Sequence, residues 1–289
     1  MKPPRFDYHA PTTVDEALGL LTRYQCEAKV LAGGQSLMPL LNFRLVRPAA
    51  LIDLNRIPAL AYIHEANGQV RLGAMTRQRA LEFSTVVRQR LPLLVEATRW
   101  VGHLPIRTRG TIGGSIAHAD PAAEYPAVLT ALEGEVVARS PRGERSLRPA
   151  DLYQTYLTTT LAADEILTEV RLPAMPAGCG WAFEEFARRH GDFALVGIAA
   201  VVMPNSGKPP RVRLATAGVS PVPARLRAAE EILERDGLSD VAIAAAAAKA
   251  GELVQPDSDI HASADYRRHL TGVLTARAVK RARLRAEER

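Results

Sequence analysis

The chain has 289 residues, 47% of them apolar, with 37 Lys and Arg against 31 Asp and Glu, a formal charge of +6 and a pI near 9.6. Length and apolar content exclude disorder and suit one large or two ordinary domains. The charge is local: eight basic residues and two acids lie between Arg267 and Arg289, which leaves 29 of each sign in residues 1–266, so a nucleic-acid groove lined by spread Lys and Arg is not expected.

In chain order, Met1-Lys2-Pro3-Pro4-Arg5-Phe6-Asp7 has no apolar signal core. The longest apolar run, 194–204, is about half a membrane span, so a cytoplasmic protein with no membrane span is expected. Residues 14–24 read as an amphipathic helix, with Val14, Ala17, Leu18 and Leu21 on one stripe and Thr13 or Thr12 as N-cap. Cys26 and Cys179 are far apart and have no Cys neighbours, which excludes a disulfide scaffold, a zinc ribbon or an iron–sulfur cluster held by this chain alone. A strand at 28–32 runs into Gly33-Gly34-Gln35-Ser36, and Ser36 is placed to cap a helix begun by Leu37-Met38-Pro39. A strand at 51–54 follows, then a hairpin of 62–64 with 70–74 turning at Asn67-Gly68.

Helices are expected at 77–83, 91–101 and 126–132, and irregular glycine-rich chain at 106–116. A hairpin beginning at Glu135 turns at Pro141-Arg142-Gly143, and Pro and Gly cluster at 173–178, the expected boundary between domains 1–176 and 177–289. Beyond it come strands at 181–188, 194–203 and 212–217, with turns at His190-Gly191-Asp192 and Asn205-Ser206-Gly207-Lys208. Helices at 228–235 and 241–250 follow. The last helix, from about Ser263, puts Tyr266, Leu270, Val273, Leu274 and Ala278 on one stripe and most of its arginines on the wet side.

Two segments share one pattern. In Leu31-Ala32-Gly33-Gly34-Gln35-Ser36 and Arg109-Gly110-Thr111-Ile112-Gly113-Gly114-Ser115, paired glycines precede a small hydroxyl residue. Glycines permit positive φ, let backbone amides converge and leave room for a ligand to approach, and a helix N-terminus after the first segment adds partial positive charge. That chemistry suits a pyrophosphate. Either segment alone is more often a tight turn than a ligand site; the two together, with matching flanks, are more specific. No Gly-x-Gly-x-x-Gly, Walker loop, Gly-x-Ser-x-Gly or His-Glu-x-x-His occurs. His118, Asp120 and Glu124 are a poor metal set, lying two and four apart around Pro121, and Asp120 better suits hydrogen bonds from a hydroxylated ligand such as a ribityl chain.

The run from Ala32 to Leu41, continuing to Arg44, Pro48, Leu51-Ile52-Asp53-Leu54-Asn55 and Ile57, resembles the first flavin signature of the FAD-binding medium subunits of molybdenum hydroxylases, relatives of aerobic carbon monoxide dehydrogenase and xanthine dehydrogenase. The run from Ile106 to Pro121 resembles their second signature, and the likeness continues through Asp164 to Pro173 and Arg188 to Ala194. The resemblance implies an α+β fold: a two-lobed FAD-binding domain of the vanillyl-alcohol-oxidase (PCMH) type, then a C-terminal three-stranded antiparallel sheet with a helix bundle.

It also implies that Ala32, Gly33, Gly34, Gln35 and Ser36, with Thr111, Ile112, Gly113, Gly114 and Ser115, hold the FAD diphosphate, with Lys29 and Leu37 adjacent. Asp120 then faces the ribityl or adenosine part, Leu167 packs near the isoalloxazine, and Phe193 lies near the ring. Phe193 lacks the hydroxyl of the Tyr that some relatives have there, and Ser115 stands where several have Asn or Asp, a change expected to alter one contact without removing the loop. The implied role is an electron-transfer subunit, with no catalytic or metal-binding residues of its own. Its implied partners are a large molybdopterin subunit and a small subunit with a pair of [2Fe-2S] clusters, assembled as a dimer of heterotrimers. The alternatives are a cofactor-free structural subunit and a self-sufficient flavin oxidase. Substrate and final electron acceptor are not legible here.

Overall fold

The structure, a computed structural model, describes residues 2–205 and 208–288. It begins with β1 (Asp7–His9) and α1 (Val14–Tyr24). The stripe Val14, Ala17, Leu18 and Leu21 is the buried face of α1, and Thr13 accepts the N–H of Glu16 as its N-cap. β2 (Ala28–Leu31), α2 (Leu37–Asn42) and β3 (Ala50–Asp53) follow. The three strands form a parallel sheet in the order β1-β3-β2, whose core with α1 holds Leu18, Ile52, Leu54 and Ile57. Ser36 does not cap α2 as expected. Its backbone is already helical (φ −100°, ψ −45°) and its hydroxyl makes no capping bond.

β4 (Ile63–Ala66) and β5 (Gln69–Gly73) form the expected hairpin, with positive φ at both Asn67 and Gly68. A helical stretch comes next: α3 (Gln78–Phe83), α4 (Thr85–Arg90), α5 (Pro92–Thr98), α6 (Leu104–Arg109), α7 (Ile112–His118) and α8 (Glu124–Ala131). The expectation of irregular chain at 106–116 is corrected, because α6 and α7 occupy most of it. Pro105 sits in the first turn of α6, and Thr111 caps α7 by accepting the Gly114 N–H at 3.1 Å. Then come β6 (Glu135–Ser140), β7 (Gly143–Leu147), α9 (Pro149–Leu152), the small pair β8 (Tyr153–Thr155) and β9 (Thr158–Thr159), and β10 (Ile166–Pro173). β10 is central to a five-stranded antiparallel sheet ordered β4-β5-β10-β6-β7.

The C-terminal part contains β11 (Gly180–Phe186), β12 (Val196–Asn205), β13 (Lys208–Ala217), β14 (Ala224–Arg225), α10 (Arg227–Asp236), α11 (Asp240–Leu253) and α12 (Ala264–Glu287). Its antiparallel sheet has four strands where three were expected, since the two-residue β14 pairs with Ala215 and Thr216. The expected turn at 205–208 includes Ser206 and Gly207, which lie outside the described residues. Strand alternation sends Phe183, Ala199, Val201 and Ala215 into the core that holds Leu94, Tyr125 and Leu129. It sends Ala182, Ile198, Ala200 and Leu214 the other way, against Leu233, Ile243 and Leu274 of the helices.

α12 buries Leu270, Leu274 and Ala278 as expected, but Tyr266 is 42% exposed; the expectation that most of its arginines are wet holds for Arg277 and Arg281, which are exposed, and is corrected for Arg267, which is buried, and for Arg283 and Arg285, which are half-buried. Arg267 is buried and donates to Leu195 O at 2.7 Å, Gly218 O at 3.1 Å and Asp259 at 2.7 Å. Arg285 donates to Glu96 of α5 and to Trp181 O, both at 2.6 Å, with its guanidinium 5.1 Å from the Trp181 ring centroid. Arg281 pairs with Glu184 at 2.9 Å and Glu96 at 3.2 Å. These partners are distant in sequence, so a helical-wheel reading could not show them. Among the described residues no helix is long and apolar enough to cross a membrane.

Candidate functional site

The two glycine segments belong to different lobes and meet. The first leaves β2 of the parallel sheet and enters α2; the second spans the end of α6 and the start of α7, beside the five-stranded sheet. A Cβ built on Gly33 would lie 2.5 Å from Arg109 O and 2.7 Å from Gly110 Cα, so glycine is what allows this backbone-to-backbone approach. One on Gly114 would lie 3.3 Å from the Ala32 Cβ. The structure therefore brings Ala32 to Ser36 and Thr111 to Ser115 together.

Their hydrogen bonding is opposite despite the shared pattern. The backbone N–H groups of Gly34, Gln35 and Ser36 have no partner among the described residues. Gly34 turns the chain at φ +74°, Gln35 Nε2 donates to Gly33 O at 2.9 Å, and Gly34 O accepts the Met38 N–H at 3.0 Å. In the second segment the donors are spent: Ile112 N–H goes to Thr76 O at 3.1 Å, Gly113 N–H to Ala74 O at 2.9 Å and Ser115 N–H to Thr111 O at 3.2 Å. The expectation that both segments use positive φ is corrected, because only Gly34 of the four paired glycines does. Gly113 is instead required by close packing, since a Cβ there would be 2.7 Å from Ala74 O. An open nest of N–H groups is a ready anion site; the second segment contributes a wall and the Ser115 hydroxyl, which has no partner among the described residues.

A polar chain crosses between the lobes. Asn55 Nδ2 donates to Ala32 O at 2.8 Å, Arg77 Nη2 donates to Asn55 Oδ1 at 2.6 Å, and Arg77 Nη1 donates to Arg109 O. Asp53 holds Asn55 from behind, accepting its N–H at 2.9 Å, and accepts the Tyr8 hydroxyl at 2.6 Å. Burial and the neighbouring Arg109 lower the Arg77 guanidinium from its ordinary value. Sequence reasoning missed Arg77, which lies in no glycine or signature motif.

The other expected residues are scattered. Lys29 is exposed on β2, Leu37 is the first residue of α2, and Ile112 is buried. Asp120 follows α7, about 10 Å along the axis from its start, and accepts the Ala122 N–H at 2.9 Å. Leu167 is buried on β10, the strand whose Thr168 O accepts the Ala74 N–H at 2.9 Å beneath α7. Phe193 is 75% exposed in a C-terminal turn whose His190 ring lies 5.5 Å from that of Trp100.

A second titratable cluster sits where the C-terminal sheet meets α8. Glu185 of β11 is buried with neither carboxyl oxygen hydrogen-bonded. Burial, reinforced by Glu124, pushes it up to about 9. Glu124 is pushed up to about 7, first by burial and then by Asp120, against the pull of Arg107. Among the described residues no group of three or more His, Cys, Asp or Glu is placed to hold a metal.

Residues 4–175 match the family described as FAD binding domain in molybdopterin dehydrogenase, and residues 181–282 match the CO dehydrogenase flavoprotein C-terminal domain. The chain is 44% identical to the 6-hydroxypseudooxynicotine dehydrogenase complex subunit alpha of Paenarthrobacter nicotinovorans, over 99% of this chain and 97% of that one. Carbon monoxide dehydrogenase from Hydrogenophaga pseudoflava, solved without the Mo-pyranopterin moiety of its molybdenum cofactor, contains a similar chain (TM-score 0.96, 40% identity, 99% of each chain covered). Quinoline 2-oxidoreductase from Pseudomonas putida 86 contains another (TM-score 0.93, 36% identity, 100% of this chain and 99% of that one). With an open amide nest between two touching lobes and both domains matched, the chain belongs to the family of FAD-binding medium subunits of molybdenum-containing dehydrogenases.

Proposed function

We propose that this chain is the electron-transfer subunit of a molybdenum hydroxylase, receiving electrons from the [2Fe-2S] clusters of a small partner and delivering them through FAD to an external acceptor. A large molybdopterin subunit performs substrate chemistry in this reading, and the assembly is a cytoplasmic dimer of heterotrimers. Residues 1–176 form the flavin domain and 177–289 the second domain. The supporting observation is the nest of three unpartnered N–H groups at Gly34, Gln35 and Ser36, beside a glycine contact too close for any Cβ.

Those N–H groups, with Ala32 and Gly33, bind the diphosphate, while Thr111, Ile112, Gly113, Gly114 and Ser115 form the opposite wall. Lys29 and Leu37 flank the nest, Asp120 accepts hydroxyls of the ribityl or adenosine part, and Leu167 and Phe193 lie toward the ring. Bound FAD supplies the redox chemistry, and the protein supplies placement. The α2 N-terminus favours the anion, and Ser115 donates or accepts as the ligand requires.

The test is titration of the flavin-free full chain with FAD, followed by fluorescence quenching. Saturable one-to-one binding is expected, and Gly33→Ala, whose Cβ must push the Arg109 carbonyl away, abolishes it or weakens it at least tenfold. A folded wild-type chain that takes up no FAD would overturn the proposal.

A further inference from the structure

The contact between the lobes leaves a question of construction. The nest belongs to the small parallel sheet, its facing wall belongs to the helices beside the five-stranded sheet, and Gly33 must stay within van der Waals reach of Arg109 and Gly110 for the two to form one site. Apolar packing cannot supply that precision at Asn55 and Arg109, both of which are exposed.

We infer that Arg77 and Asn55 form a positioning relay that holds the two glycine segments at the separation a diphosphate requires, with Arg77 acting through Asn55 and the Arg109 carbonyl. This inference rests on the proposed FAD reading. The path is continuous: Ala32 O to Asn55 Nδ2 at 2.8 Å, Asn55 Oδ1 to Arg77 Nη2 at 2.6 Å, and Arg77 Nη1 to Arg109 O. One end therefore holds the peptide that enters the nest and the other holds the peptide that Gly33 touches. Because a peptide unit is planar, fixing the Ala32 carbonyl also fixes the direction of the Gly33 N–H and the chain's entry into the Gly34 turn. Asn55 is itself held, since its N–H binds Asp53, and Asp53 binds Tyr8 of β1 at 2.6 Å. Arg77 is backed by the bridge pairing it with Thr111, the cap of α7.

Both terminal nitrogens of Arg77 are committed to protein acceptors, so its main effect is on geometry. A guanidinium is suited to this, because its planar fork reaches two acceptors in fixed directions and an ammonium does not. Supporting partners of this kind, one step removed from the ligand, are typically worth about tenfold to a hundredfold in affinity.

The test uses the full flavin-free chain and FAD as the probe, with Arg77→Met, Arg77→Lys, Asn55→Ala and the Arg77→Met/Asn55→Ala double variant. The dissociation constant is read at low and high salt, and thermal melting without flavin monitors folding. The relay predicts at least tenfold weaker binding for Arg77→Met and for Asn55→Ala, no rescue by Arg77→Lys, and losses insensitive to salt. It also predicts that the double variant binds no worse than the weaker single one, because both substitutions cut one path. Asn55→Ala, at an exposed position, keeps the test decisive if Arg77→Met does not fold. Binding within twofold of wild type, full rescue by lysine, or losses that multiply would overturn the relay while leaving the FAD reading intact. A wild-type chain that fails to bind FAD would instead sink that reading and the relay together.

Discussion

Replacing Glu185 by Gln should make the protein more stable at neutral and alkaline pH. The carboxyl is buried, neither oxygen has a hydrogen-bond partner, and Glu124 is the charged group that acts on it. Glu124 in turn is faced by Asp120 and Arg107, and Arg107 Nε lies 3.4 Å from Glu82. Glu185 is raised from its ordinary 4.5 to about 9, so the folded chain keeps its proton where the unfolded chain has released it. The associated stability is fully present below pH 4.5 and is lost as pH rises through about 9. The slope is about 1.4 kcal/mol per pH unit, which at pH 7.5 comes to about 4 kcal/mol as an upper bound. Hydration and relaxation of the pair reduce it, and an advantage of about 2 kcal/mol or more is expected for Glu185→Gln.

Urea unfolding at several pH values measures this. The chain's two tryptophans make it convenient, because Trp100 touches His190 and Trp181 lies on β11 beneath Arg285, so both report on the contact between the domains. The variant's advantage should grow from pH 5 to 8.5 and vanish near pH 4.5. Parallel stability curves for the two proteins across that range would refute the reasoning.

Arg285→Ala removes two hydrogen bonds at 2.6 Å and a cation–π contact and leaves Glu96 with Arg281 and the Phe183 N–H, so a loss of about 1–3 kcal/mol and a shift in Trp181 emission are expected, with FAD affinity unchanged. Arg267→Met strands the carbonyls of Leu195 and Gly218 and leaves Asp259 Oδ2 without its guanidinium, while Oδ1 keeps the His261 and Ala262 N–H groups, at a cost of about 2–4 kcal/mol in urea unfolding. Arg267→Lys should recover little of that loss, because an ammonium cannot reach all three acceptors.

The elements legible in the sequence were those whose signals are local. The α1 stripe with Thr13, the hairpin at Asn67-Gly68 and the start of α12 after Ser263 each depend on residues within a turn or two. The missed elements depend on distant partners. α6 and α7 have six and seven residues, too short to hold alone, and α7 is fixed at its start by the carbonyls of Thr76 and Ala74. β14 is two residues paired to β13, and α4 was missed for its six-residue length although its Ser84 cap is local. The glycine pattern correctly marked two segments that meet, yet it could not show that one keeps its amides open while the other spends them, since that is decided by Ala74 and Thr76. Arg267 and Arg285 of α12 were misassigned for a related reason: the helix phase was right, but Leu195 lies 72 residues from Arg267 and Glu96 lies 189 residues from Arg285.

The doubly covered sheet β11–β14 bears on how this chain can be recombined with its relatives. Phe183, Ala199 and Val201 lie against the flavin-domain core while Ala182, Ile198 and Ala200 lie against the helices, so cutting the chain near residue 177 would bare an apolar face on each fragment. A chimera joined there must carry matching surfaces on α5 and α8, and Glu96, Glu124, Glu185 and Arg285 must travel together. Inheritance of the second half is thereby tied to the first, and exchange of the whole chain is the easier route to a functional hybrid.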